Sequence, residues 1–409
     1  FRLREPDFDR WALGYQDFSS YYDQAESLLE VHGQAHEDPT EPAREFDFPF
    51  PPIDLNPPAQ RIFDAAKGLG LKPFHIPLAI NFKNQSRDNI CIQCQTCDGY
   101  PCKIEAKSDA TTIFKKAMKN LCPPKIFVGV TADRFIISKD RVESLALFDH
   151  QGRHLSIRAK AFVLAAGALG SPPILLRSEL HDFPQHQFIG RYLMRHCNAV
   201  VSYVFPFRTN ARGDFHKQVA ISSLYNDWRV KNNLATGIIQ DIYTPEKSVV
   251  SAFAPRGFKF LAGTFSQFIQ NLLCVAEDEP QFINRVELSD RVNAFGVRLP
   301  RIEHQYSKAD LERLDFLIKH ARKILRAAGG KIGKLMRIDS FSHAVGTLRM
   351  GQSEKDSVIS SEGKFHGLKN LFVADGSFMP SSGGVNPSLS ITAFALRTAD
   401  KMIERRQEW

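Results

Sequence analysis

Read for the spacing of apolar positions, the chain predicts helices at several places. Ile391, Phe394, Ala395, Thr398 and Met402 keep helical spacing over 388–405, ahead of a charged end at Lys401, Glu404, Arg405 and Arg406. Leu311, Leu314, Leu317, Ile318, Ala321, Ile324 and Leu325 do the same over 310–328, as do Ile62, Ala65, Ala66 and Leu69 over 59–69. A further helix is expected from a cap near Asp17 to Leu28, and the apolar stripe Phe265, Phe268, Ile269, Leu272 and Leu273 reads as helical too. Short β-favouring runs predict strands at 126–137, 142–148 and 153–157, with a turn at His150-Gln-Gly152, and further strands at 161–165, 199–205 and 371–374.

Two of these strands lead into small-residue turns. Ala161–Ala165 runs into Ala166-Gly167-Ala168-Leu-Gly170-Ser171-Pro-Pro and a helix at 174–177, which is one half of a nucleotide-type strand–turn–helix unit. Leu371–Ala374 stops at Asp375-Gly376, and after a loop of small residues Asn386 stands where an N-cap is wanted, with Pro387 at the first helical position and Ser388 next. A helix N-terminus stabilises an anion placed before it, and a phosphate or a reduced flavin ring would serve equally.

These residues carry a resemblance. Asp375-Gly-Ser, Asn386-Pro-Ser and the upstream Ser342-His343-Ala-Val-Gly346-Thr347-Leu-Arg349-Met350-Gly351 together resemble the C-terminal signature of the GMC (glucose-methanol-choline) flavin oxidoreductases. The likeness extends through most of the chain, including Phe188-Ile-Gly190-Arg191-Tyr-Leu-Met-Arg-His196 and Glu277-Asp-Glu-Pro280 with Asn284-Arg285-Val286. It is weakest over 199–335, where a substrate pocket would form.

The resemblance implies an α/β fold of mixed α+β character: a Rossmann-like FAD-binding domain from 61–194 and 336–409, and a substrate-binding or cap domain from 1–60 and 195–335 with an antiparallel sheet flanked by helices. It implies FAD as cofactor, an alcohol or sugar as substrate and an electron acceptor left unknown, with His343 and Asn386 flanking the flavin. Cofactor contacts carry over to Ala106, Phe135, Ala166, Gly167, Ser171, Asp375, Gly376, Asn386, Pro387 and Ser388. His343 suits a general base, since imidazole alone titrates near neutrality, at about 6.5; Asn386 can hold an alkoxide-like oxygen without titrating.

A G-x-G-x-x-G turn for the FAD pyrophosphate is absent: Gly68-Leu-Gly70 has Pro73 in place of a third glycine, and Gly329-Gly330-Lys-Ile-Gly333 is wrongly spaced. The expectation is a chain truncated ahead of that unit, hence an incomplete Rossmann-like domain. The same absence supports a rival reading, a non-catalytic GMC-like binding or assembly subunit that has lost FAD.

The second cluster, Cys91-Ile-Gln-Cys94-Gln-Thr-Cys97-Asp-Gly-Tyr-Pro-Cys102, has C-x2-C-x2-C-x4-C spacing. Ferredoxin-type binding uses C-x2-C-x2-C-x3-C with proline after the last cysteine. Some dehydrogenase members of the family bind an iron-sulfur cluster in this region. Cys91, Cys94, Cys97 and Cys102 could ligate such a cluster or zinc, or be buried thiols or a disulfide; the likeness to electron-relaying members favours a dehydrogenase over an oxidase.

Composition changes the picture little. A net charge of +8 spread over 409 residues, with no run of five like charges, is no nucleic-acid footprint. The apolar stretch Ala161–Leu176 is broken by Gly167, Gly170, Pro172 and Pro173, so no transmembrane segment is expected. Seven cysteines, four of them crowded together, suit a reducing compartment, and a cytoplasmic location is the expectation.

Overall fold

The computed structural model describes residues 1–82, 89–94, 97, 101–229, 233–244, 247–253, 255–257, 259–341 and 343–409. Ser342, Gln95, Thr96 and 98–100, parts of two motifs singled out above, lie outside the described residues.

The alternating runs assemble into a six-stranded antiparallel sheet. Its strands are β1 (Pro73–His75), β6 (Cys197–Val204), β7 (Val219–Ile221), β8 (Ile238–Ile242), β9 (Ile269–Ala276) and β12 (Ile332–Arg337), in the order β1-β7-β8-β9-β6-β12. Val201 pairs with Leu272 and Val200 with Leu273, so successive residues feed opposite faces. Ala199, Val201, Tyr203, Leu272 and Cys274 pack under α2 (Pro57–Gly68) and α7 (Lys308–Ala327), whose Ile62, Leu314, Leu317, Ile318 and Ile324 form the other half of that core. Val200, Ala220, Ile238, Leu273 and Val275 join a second core with Phe18, Leu164, Phe378 and Phe394. A sheet with two buried faces shows no polar alternation.

That burial explains one departure from the expected pattern. The stripe continuing through Leu272 and Leu273 is not one helix: α6 (Lys259–Phe265) follows α5 (Lys247–Phe253), a 3₁₀ turn covers Ser266–Phe268, and Ile269–Ala276 is β9. Continuous apolarity suits a doubly covered strand as well as a helix.

Beside this layer, β2 (Val130–Ser138), β3 (Arg141–Asp149) and β4 (His154–Ile157) form an antiparallel meander, turning after β3 where Gly152 takes φ +79° and donates to Asp149. Strand β5 (Phe162–Leu164) pairs in parallel with β15 (Leu371–Val373), Phe162 opposite Leu371 and Leu164 opposite Val373. Helix α4 (Gly167–Leu176) follows β5, beginning earlier than the expected 174; its turn closes because the Ser171 hydroxyl takes up the Ala166 N–H, at 3.0 Å. Strands β10 (Arg285–Val292) and β11 (Arg298–Glu303) form a hairpin, while β13 (Met350–Gly351) and β14 (Ile359–Ser360) form a short parallel pair. Helix α3 (Ala110–Ala117) lies on the chain between α2 and β2. The architecture is the mixed α/β one expected.

Helix α1 (Gln16–Leu29) anchors the end of the chain. Its Phe18 stacks on Phe394 of α8 (Ser388–Glu404), Tyr22 reaches Ser390 at 2.7 Å, and Phe394 stacks flat on Phe378, ring centres 3.7 Å apart. These contacts fix where α8 begins, and its beginning is the wall of the site. Among the described residues no helix is long and apolar enough to cross a membrane.

Candidate active site

Three segments far apart in the chain are stitched together here. Val345 exchanges backbone hydrogen bonds with Met194, Gly346 donates to Gly376, Leu348 to Ser377, and the Thr347 hydroxyl to Ala168. Gly346 sits at φ +97°, and a Cβ there would stand 2.5 Å from the Tyr192 carbonyl, so glycine is required. The loop is thereby held against the segment 190–196 on one side and the turn after β15 on the other, which places the preceding His343.

Asp375 holds that turn to α4. Its buried carboxylate accepts from the Ser377 N–H (2.9 Å) and hydroxyl (2.5 Å), the Gly167 N–H (2.9 Å) and the Ser171 hydroxyl (2.5 Å). Four donors converge on one side chain, so Asp375 and Ser171 join two elements.

His343 and Asn386 meet. Asn386 Nδ2 lies 3.4 Å from His343 Nε2, while its Oδ1 accepts from Gln240 Nε2 at 2.6 Å. Asn386 is therefore not the helix cap expected of it: α8 has no side-chain cap, Pro387 stands at its boundary, and the carboxamide is committed across the site to β8. His343 Nδ1 lies 2.8 Å from Nδ1 of His196, whose Nε2 faces the carbonyls of Ser382 (3.1 Å) and Gly383 (2.8 Å). Burial, then the neighbouring His196 and the Lys217 cation, hold His343 down to about 3, well below the near-neutral value expected of it, so its imidazole is neutral and a weaker base than a free one.

These groups open on a cavity of about 440 Å³ lined by His343, Asn386, Ser388, Gln240, Lys217 and Lys107, among others. The segments that build it are the ones that identify the chain. Family models described as GMC oxidoreductase match residues 4–198 and 280–395. The chain belongs to the GMC oxidoreductases.

Its relatives within that family have several activities. The chain is 30% identical to paromamine 6'-oxidase of Streptomyces fradiae, over 95% of this chain and 71% of the relative. It is 25% identical to the fructose dehydrogenase large subunit of Gluconobacter japonicus, over 96% and 74%. Its fold is that of pyridoxine 4-oxidase from Mesorbium loti, with a TM-score of 0.66 and 18% identity, over 99% of this chain and 81% of that one. As a GMC member this chain is an FAD-dependent oxidoreductase.

The residues present fit a flavin on two counts. The first turn of α8 has neither a side-chain cap nor an acidic residue, and exposed Ser388 opens it to the cavity beside His343. Gly167 adopts φ +78° with no atom within 4 Å of where a Cβ would stand, next to exposed Ala166. Of the other residues carried over for the cofactor, Ala106, Phe135, Ser171, Asp375, Gly376 and Pro387 are all buried. Phe135 packs edge-on against Phe162 and donates its N–H to Ser178, so it offers a ligand neither ring nor amide.

The cysteine segment borders an adjoining cavity of about 280 Å³ lined by Cys91, Cys94, Cys97 and Cys102, with Ile80, Cys97 and Lys107 shared between the two. Among the described residues no three His, Cys, Asp or Glu side chains are grouped to hold a metal ion. Burial pushes the Cys97 thiol up to about 11 and Cys91 in the same direction. The iron-sulfur expectation finds no support in this geometry.

The roles of His196 and Gln240 were not foreseen. His196 closes a segment with family likeness, which was a usable signal. Gln240 sits in a strand with nothing local to mark it.

Proposed function

We propose that this GMC oxidoreductase oxidises a CH–OH group of an alcohol or sugar, with His343 as general base and Asn386 holding the substrate oxygen. The observation that carries the reading is the 3.4 Å approach of Asn386 Nδ2 to His343 Nε2 at the mouth of the cavity. It weighs against a non-catalytic binding subunit, which has no use for a neutral imidazole facing an oriented carboxamide.

His343, kept neutral by its surroundings, takes the hydroxyl proton at Nε2. Asn386 donates from Nδ2 to the oxygen as negative charge develops there, and Gln240 keeps that amide from turning. FAD, when bound, would supply the hydride acceptor for the carbinol carbon. Ala166, Gly167, Asn386 and the α8 start at Ser388 would hold the cofactor directly, while Ala106, Phe135, Ser171, Asp375, Gly376 and Pro387 shape the wall behind it. Asp375 does so by fixing α4 to the turn after β15.

The test is turnover of the flavin-loaded enzyme on paromamine, fructose and simple polyols, with a dye acceptor and with oxygen in parallel; the ratio of dye reduction to peroxide assigns dehydrogenase or oxidase. His343→Gln is expected to lower kcat/KM by about 10²–10⁴-fold and Asn386→Ala by about 10²-fold. A His343→Gln enzyme within threefold of the parent on its best substrate would rule out the base.

A further inference from the structure

We infer that His196 is a positioning residue that holds His343 in the Nδ1–H tautomer, leaving Nε2 bare and facing Asn386 and the cavity. The inference rests on the proposed role of His343 for its functional meaning; its structural content stands by itself.

The assignment follows from which atoms can only accept. His196 Nε2 lies 2.8 Å from the Gly383 carbonyl and 3.1 Å from that of Ser382, and a carbonyl oxygen has no proton to give, so Nε2 carries a hydrogen. The ring is 1% exposed, and burial favours its neutral form, which has one ring hydrogen; Nδ1 is therefore bare. Nδ1 of His343 stands 2.8 Å away. Two bare nitrogens at that distance would oppose their lone pairs, so the hydrogen between them belongs to His343. With His343 neutral as well, its remaining nitrogen, Nε2, is the acceptor, and it is the one beside Asn386.

His196 is built to stay where it is. Its backbone takes the left-handed conformation at φ +60°, its N–H donates to Asp278 Oδ1 at 3.1 Å, and its carbonyl accepts from the Tyr306 hydroxyl at 2.7 Å. Asp278 is buried and also accepts from the Arg195 N–H and the Ser382 hydroxyl, with His304 Nε2 at 3.6 Å. Once His343 Nε2 takes a proton, the imidazolium still donates through Nδ1 to His196, and Asp278 is the negative group that favours charge on both rings, against the Lys217 cation on the His343 side. His196 is the second ring of the pair, and its two-sided hydrogen bonding defines its work.

The experiment is ¹⁵N NMR of histidine-labelled full-length chain, assigned with His343→Gln and His196→Asn. The wild-type spectrum is expected to show His343 protonated at Nδ1 and bare at Nε2, and His196 protonated at Nε2 and bare at Nδ1. The reverse pattern at His343, or a doubly protonated His196 in the resting protein, overturns the inference whatever the activity. In turnover, His196→Phe should lower kcat about 10–100-fold with KM little changed, and His196→Asn, whose Oδ1 can accept in place of Nδ1, should recover most of it. Equal losses in the two variants would reduce His196 to packing. Should His343→Gln stay active while the wild-type tautomers are as stated, the base assignment fails and the tautomer assignment survives.

Discussion

His343 should make the fold acid-sensitive in a way one substitution removes. In the unfolded chain its imidazole titrates near 6.5, and in the fold near 3. Between those values the unfolded state binds a proton that the folded state refuses, so stability is intact above pH 6.5 and declines as pH falls toward 3. At pH 5 the two states differ over about 1.5 pH units, which at about 1.4 kcal/mol per unit is about 2 kcal/mol from this side chain. The neighbouring His196 is shifted the same way by burial and adds loss of the same sign. Urea unfolding of wild type and His343→Gln at pH 7.5 and 5.0 isolates the difference. Tryptophan fluorescence suits the measurement, since Trp11 is buried edge-on to Phe378 and donates to Ser381, beside the Ser382 and Gly383 carbonyls that hold His196. Wild type is expected to lose about 2 kcal/mol more than the variant between the two pH values. Parallel losses would mean that His343 titrates normally in the fold, and would remove the argument for its neutrality.

Asp375→Ala should cost about 3–5 kcal/mol by calorimetry, because it strands two N–H groups and two hydroxyls around a buried space; a loss below 1 kcal/mol would mean that water replaces the carboxylate. Gln240→Met keeps the volume but frees the Asn386 carboxamide to turn; kcat is expected to fall about tenfold or more with KM less affected, and unchanged kcat would separate Gln240 from the site. Burial and the charge of Asp7 push Glu277 up to about 8, so its fold-stabilising contribution is present below 4.5 and lost as pH rises through 8. Glu277→Gln should therefore flatten the decline of Tm between pH 5 and 8, and an unchanged slope would show the carboxyl ionised throughout.

Much of the fold was legible along the chain. Helices α7 and α8 stand within a few residues of the spacing of Leu314, Leu317 and Ile318 and of Ile391 and Phe394, since a one-sided apolar stripe has one helical solution. Strand β9 was not legible as a strand, because Leu272 and Leu273 feed cores on both faces of the sheet and erase the alternation that marks a half-exposed strand. His343 and Asn386 were named by their motifs, and the small residues between Asp375 and Asn386 announced a tight turn before a helix.

What those residues do to one another came only with the packing. Asn386 satisfied every local preference for a cap, yet its oxygen belongs to Gln240, 146 positions earlier, which arrives on the neighbouring sheet. His196 is 147 positions from His343 and 187 from the Gly383 carbonyl that fixes its proton. Local periodicity reports which face of an element is buried, a property of residues a few apart. The protonation pattern of a site depends on donors and acceptors that meet across the whole chain, and it exists only once a sheet and a terminal helix have closed on each other.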